Sequence, residues 1–241
     1  MRRFFFDPER RHGDLVRLDA VESRHIVKVL RLNAGDSVEM LDGSGAVYPA
    51  TILSTERAVE LELGEQLEFA EDSGTPLFLF QSVLKGEKMD VVVQKATELG
   101  VTRLQPVQTA RSQGGSDDVR KRERWQRISL AACKQCLRPR LMEVAAPLTV
   151  KNFQCDLPEG TLKLFFYEEE REVGLRELAG ELAVAPAVAL FIGPEGGLTP
   201  AEVDAARAAG WRTVGLGWRI LRAETATIST LALVQYLCGN M

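Results

Sequence analysis

From Thr75 onward the 241-residue chain alternates short apolar runs with amphipathic stretches, and this alternation limits the fold more than any other feature. Residues 77–83, 103–107, 162–167, 188–192 and 213–215 read as strands, and 87–99, 118–136, 200–209 and 224–237 as helices. In the first helix Met89, Val92, Val93, Ala96 and Leu99 share one face, and Gly100 supplies the stop. Strands separated by helices pair in parallel with the helices crossing over. An α/β domain with a mostly parallel sheet is therefore expected.

The first 70 residues are organised differently. Residues 2–6, 37–41, 46–53 and 58–63 read as short strands, with Asp42-Gly43-Ser44-Gly45 as a turn. One helix is expected at 20–30, with Val21, His25 and Val29, and Ile26 and Leu30, at helical spacing. This is the pattern of a small β-barrel-like module. Glu71-Asp72-Ser73-Gly74 breaks the composition and reads as a linker, which divides the chain into 1–72 and 73–241.

Net charge is −4 with a pI near 5.5, but the charge is segregated. Residues 111–140 hold nine Lys/Arg against three acids, net +6, and residues 1–31 hold eight against five, net +3. Acids concentrate at 56–72 and 156–181. Basic segments on an acidic protein suit one polyanion-facing side, although a solvated helix face has the same composition. The opening MRRFFFDPER has three apolar residues before Asp7, short of the roughly 7–15 in a secretory leader. The longest nearly uncharged apolar run, 182–193, falls short of the roughly 20 residues of a membrane span. A cytoplasmic protein with reduced cysteines is expected.

Three glycine turns follow strands. In Phe191-Ile192-Gly193-Pro194-Glu195-Gly196-Gly197-Leu198-Thr199-Pro200-Ala201-Glu202 a strand runs through a glycine loop into a helix, with Thr199 as N-cap, Pro200 first and Glu202 three residues after the cap. No Lys-Ser/Thr follows the glycines and Gly-x-Gly-x-x-Gly is absent, so neither a phosphate loop nor a dinucleotide fingerprint is present. The second turn, Leu216-Gly217-Trp218-Arg219-Ile220-Leu221-Arg222-Ala223-Glu224-Thr225-Ala226, brings two arginines and a glutamate to a helix mouth. Paired arginines suit an anionic or enolate-like partner, or a plain surface ion-pair cluster. The third is Lys85-Gly86-Glu87-Lys88-Met89-Asp90. Together they predict a ligand cleft at one edge of the sheet. Cys133-x-x-Cys136 has no second pair and His12 and His25 are the only histidines, so neither a metal site nor a Ser-His-Asp triad is expected.

These residues carry a resemblance. His25-Ile-Val-Lys-Val-Leu-Arg31 with Gly35-Asp36, Lys85-Gly86-Glu87-Lys88-Met89, Gln94-Lys95, Glu98-Leu99-Gly100, Gly193-Pro-Glu-Gly-Gly197 and Leu216-Gly217-x-Arg219-Ile-Leu-Arg222-x-Glu224-Thr225-Ala226 are similar to the bacterial small-subunit ribosomal RNA methyltransferase E family of the SPOUT superfamily. The resemblance spans nearly the whole chain. It implies a PUA-like RNA-binding barrel over 1–72 and, over 73–241, an α/β domain with a deep C-terminal trefoil knot. It further implies a homodimer that uses S-adenosylmethionine to methylate N3 of a uridine in 16S ribosomal RNA. By the same likeness Tyr167, Ile192, Gly193, Gly197, Leu216, Gly217, Ile220, Leu221 and Thr225 would line the cofactor pocket. Arg24, Lys28, Arg31, Arg111 and Arg138 would meet RNA. Two departures stand out: Lys134 replaces an acidic or neutral residue, and Leu137 a small one, often Gly. Trp218 also lies outside the family pattern and is expected to pack.

The chemistry expected is positioning plus control of charge. Arg222, or Arg219, would stabilise negative charge on the uracil carbonyls, and Glu224, Glu195 or a water would take the proton. The base must leave its stack, and no metal is required. Two other readings compete: a non-catalytic RNA-binding assembly factor, and a SPOUT enzyme acting on transfer RNA.

Overall fold

A computed structural model describes residues 2–67, 74–112, 119–149, 153 and 156–241. Residues 71–73 of the expected linker at 71–74, and the expected helix start at Asp118, lie outside the described residues. The chain forms two compact units, residues 1–72 with 133–141, and residues 73–132 with 142–241.

The first unit contains β1 (Arg3–Phe5), β2 (Arg11–His12), β3 (Leu15–Arg17), α1 (Ala20–Arg24), β4 (Ser37–Leu41), β5 (Val47–Ser54) and β6 (Glu60–Leu63). They form one sheet in the order β1-β4-β5-β6-β3-β2, antiparallel except for the β1–β4 pair. Alternation sends Phe4, Val16, Val38, Met40, Ala50, Ile52, Leu61 and Leu63 into one core, joined by Ile26. Asp19 caps α1 by accepting from the Val21 and Glu22 amides at 2.8 Å.

The helix expected at 20–30 changes register. His25–Val29 is a π-helical turn, in which the Leu30 amide donates to the His25 carbonyl at 3.0 Å. The wider turn rotates successive side chains off the i, i+4 line. Ile26 stays buried, while Val21 and Val29 are 75% and 66% exposed. The Val21–His25–Val29 stripe therefore faces solvent.

The second unit begins with β7 (Leu77–Ser82), α2 (Lys88–Glu98), β8 (Arg103–Gln108), α3 (Val119–Cys136), β9 (Glu143–Val144) and β10 (Leu148–Thr149). The residues of α3 from Cys133 count with the first unit. The remaining elements are β11 (Leu162–Phe166), α4 (Ala179–Leu182), β12 (Val188–Ile192), α5 (Pro200–Ala208), β13 (Arg212–Val214) and α6 (Ala223–Leu237). Every strand pair is parallel, in the order β10-β8-β7-β12-β11-β13 with β9 also on β8. Both faces are covered, which is why these strands read as continuous apolar runs. Leu79, Leu164, Val188, Leu190 and Ile192 face one core with Val92, Val93 and Leu231 of α2 and α6. Phe80, Phe165 and Phe191 face the other with Val203, Ala206 and Trp211. There Phe165 and Phe191 stack at 4.7 Å, and Trp211 Nε1 donates to the Phe153 carbonyl at 3.0 Å. Among the described residues no helix is long and apolar enough to cross a membrane.

Candidate active site

Parallel pairing brings the carboxyl ends of β11, β12 and β13 to one edge of the sheet, where open α/β sheets bind ligands. A cavity of about 350 Å³ opens there. Its walls are Phe166, Tyr167 and Glu168 after β11, Ile192 to Glu195 and Gly197 after β12, Val214 and Leu216 to Gly217 after β13, and the run Arg219–Ala223 with Ala226. Lys88, from the first turn of α2, completes it. The wall is chiefly apolar with glycine backbone between, and a few charged groups stand at the rim.

Local chemistry fixes each wall. The loop after β12 ends in a capping box: Thr199 Oγ1 accepts from the Glu202 amide at 3.3 Å, and Glu202 Oε2 accepts from the Thr199 amide at 2.8 Å. Gly197 has φ +70°, and a Cβ there would run into Glu168 Oε1. Gly217 has φ +89° with open space where a Cβ would sit, and its carbonyl accepts from Arg171 Nη1 at 2.8 Å. Only glycine adopts these conformations without strain.

The charges are arranged in two ways. Glu195 Oε1 accepts from Lys88 Nζ at 2.9 Å and from the Lys85 amide at 3.3 Å, tying the glycine loop to the start of α2. Burial alone would raise the Glu195 carboxyl, but the bonds from Lys88 and from backbone amides outweigh it and hold it below the usual carboxylate range. Arg222 is the N-cap residue of α6 and makes no side-chain capping bond. Among the described residues Arg219 and Arg222 enter no ion pair, and both line the cavity. Tyr167 is pushed up to about 12, first by its hydrogen bond to Glu169 and then by burial, so it stays a neutral phenol.

Most of the expected pocket residues meet at this cavity: Tyr167, Ile192, Gly193, Gly197, Leu216, Gly217, Ile220 and Leu221, with Arg219 and Arg222. Thr225 does not. It is exposed and outside the lining, because the helix beginning at Ala223 turns Ala223 and Ala226 inward. Glu224 is likewise outside the lining, with Oε2 buried and unbonded among the described residues. Sequence reasoning left out Lys88, although its glycine turn stood out, and Glu168, which no motif marks.

The residues expected to meet RNA separate. Arg24, Lys28 and Arg31 are exposed on the first unit. Arg111 is exposed, but its Nη1 donates to the Gly196 carbonyl at 3.0 Å, so it braces the glycine loop. Arg138 is only 8% exposed. Lys134 pairs with the buried carboxylate of Glu22. Leu137 stands at φ +61°, the left-handed conformation that explains a glycine preference there.

The RNA methyltransferase domain family matches residues 71–235, and the RNA methyltransferase PUA domain family matches 18–63. The ribosomal RNA small subunit methyltransferase E of a Synechocystis strain is 34% identical over 232 residues, 95% of this chain and 76% of that protein. The chain belongs to the ribosomal RNA small subunit methyltransferase E family. The Bacillus subtilis member is 31% identical over 89% of this chain and 87% of its own. The Neisseria gonorrhoeae member, solved bound to S-adenosyl methionine, superposes with a TM-score of 0.87 at 31% identity, covering 98% of both chains. A putative methyltransferase from Legionella pneumophila, also in complex with that cofactor, gives 0.82 at 29% identity over 97% and 96%.

Proposed function

We propose that this chain transfers the methyl group of S-adenosylmethionine to N3 of a uridine in 16S ribosomal RNA of the small subunit. The observation that carries the reading is the strand-end cavity, with glycine backbone and apolar walls around two arginines that enter no ion pair among the described residues. Its size lies within the range of small-molecule sites. Glycines at 193, 197 and 217 admit a ligand to the backbone, and Ile192, Leu216, Ile220 and Leu221 suit an adenine and a sulfonium better than a phosphate-rich cofactor. S-adenosylmethionine, when bound, supplies an already activated methyl group. The chain must therefore orient the base and manage its charge. N3 of uracil becomes nucleophilic as its proton passes to water and charge moves onto the flanking carbonyl oxygens, and the N3 lone pair then takes the methyl group as its bond to sulfur breaks. Arg222, at the positive end of α6, presents a planar fork for such an oxygen, with Arg219 beside it. Glu195 is held by Lys88 as an anion of low basicity, which makes it a strut for the loop.

Membership of the family supports the rest of the reading: a PUA-like barrel in residues 1–72, a trefoil-knotted methyltransferase domain in 73–241, a homodimer, and work in the cytoplasm. Leu233 and Tyr236, both exposed on α6, suit a subunit contact. The direct test of the site is single-turnover methylation of small subunits with saturating enzyme and cofactor. Arg222→Ala should slow it about 10²–10³-fold, the size of one lost oxyanion donor, and Arg222→Lys should recover part. Wild-type turnover with weakened RNA affinity alone would make Arg222 a phosphate contact.

A further inference from the structure

Three tryptophans occur in the chain, and two of them, Trp125 and Trp211, are buried in the second unit. Trp218 is 77% exposed. It stands between Gly217 and Arg219, both of which line the cavity, and is itself outside the lining, so it borders the cavity. The Arg219 guanidinium lies over the ring, 4.7 Å from the centroid, and occupies one face. The exposure leaves the second face open. Beside it Ile220 is also exposed, and the turn is pinned by Arg171 on the Gly217 carbonyl.

An aromatic this exposed beside a cavity mouth packs little against the described residues, and its surroundings indicate what covers it. Arg171, Arg219 and Arg222 cluster in or against this turn, and none enters an ion pair among the described residues. Pressing that surface against a protein face would bury unpaired charge, which is costly. An unpaired nucleobase satisfies both features at once, because its ring stacks on the indole while its phosphates meet the guanidinium groups. We infer that Trp218 is a stacking platform for a base of single-stranded RNA at the lip of the cavity, with Arg219 clamping the opposite face of the indole. The inference rests on the RNA-methylating reading above and adds a residue that recognises the substrate without joining the chemical step.

The position makes the test spectroscopic. Trp218 is the one exposed tryptophan, so a short oligouridine should quench the exposed part of the intrinsic emission, and S-adenosylmethionine alone should not. Trp218→Phe should abolish that quenching while keeping most RNA affinity, because a phenyl ring still stacks. Trp218→Ala should weaken oligouridine binding about 5- to 100-fold and raise KM for small subunits, with cofactor affinity by calorimetry unchanged. Unquenched emission together with wild-type RNA affinity in Trp218→Ala would overturn the inference. So would dissociation of Trp218→Ala into smaller species in sedimentation, which would assign the ring to a second copy of the chain. If wild-type protein methylates no small subunits yet shows the quenching, the fault lies with the methylation reading and not with the platform.

Discussion

Leu137 is held at φ +61° with half its side chain in solvent, so it has the cost of a left-handed residue and little burial to offset it. That cost is about 1–2 kcal/mol, against roughly 0.4–1 kcal/mol of extra unfolded-state freedom when glycine is introduced. Leu137→Gly should therefore stabilise the protein by up to about 1 kcal/mol, read as a rise in urea midpoint at constant slope. At Gly197 the opposite holds. Gly197→Val combines a disfavoured φ with a side chain directed at Glu168, so cofactor binding should vanish in calorimetry while circular dichroism stays unchanged. Unaltered affinity would remove this loop from the site. These two positions also show how far residue-level reading reaches. Glycines after strands mark the cavity because close backbone approach needs them. Thr225 falls outside the lining because its motif neighbour Ala226, one helical step on, turns inward instead.

Elements, in turn, are joined by bonds between residues far apart in sequence. Lys134, near the end of α3, neutralises Glu22 of α1, a carboxylate with little access to water. Removing one partner leaves the other charge uncompensated, so Lys134→Ala should cost roughly 1.5–3 kcal/mol, and the double change Glu22→Gln with Lys134→Met should restore most of it. The Lys88–Glu195 tie adds a pH dependence. A carboxyl lowered in the folded state contributes stability that is complete above its ordinary value and lost as pH falls through the lowered one. Cofactor affinity should thus be flat from about pH 5 to 8 and decline only in stronger acid, and Glu195→Gln should remove that acid limb. Titration near neutrality would place the control elsewhere. The long elements were legible because strands covered on both faces, such as β12, are apolar throughout, and α2 carries an unbroken apolar face. The π-turn after Arg24 was not, since its apolar spacing is identical to that of an α-helix. Nor were the two-residue strands β2, β9 and β10, which have no period to read.

At the scale of the whole molecule, an acidic chain concentrates its basic residues in two stretches: 1–31 lies in the first unit, and 111–140 begins in the second unit and ends, from Cys133, in the first. Arg24, Lys28 and Arg31 are exposed on the first unit, and Arg120, Arg124 and Arg127 share one exposed face of α3, with Arg122 exposed as well. Replacing Arg24, Lys28 and Arg31 by Ala should weaken RNA binding, flatten its salt dependence and leave cofactor affinity alone. RNA affinity equal to wild type at low and moderate salt would return these residues to a solvated surface. Charge distribution was legible in the sequence, but burial was not, and Arg138 is the residue where the two part. The measurement that decides most is methyl transfer from labelled S-adenosylmethionine to small ribosomal subunits lacking the modification, with free transfer RNA in parallel and the product nucleoside identified. One methyl per subunit, on N3 of a single uridine of 16S RNA and none on transfer RNA, is the result predicted. Label on transfer RNA, on another atom, or on nothing while the protein still binds the subunit would contradict it.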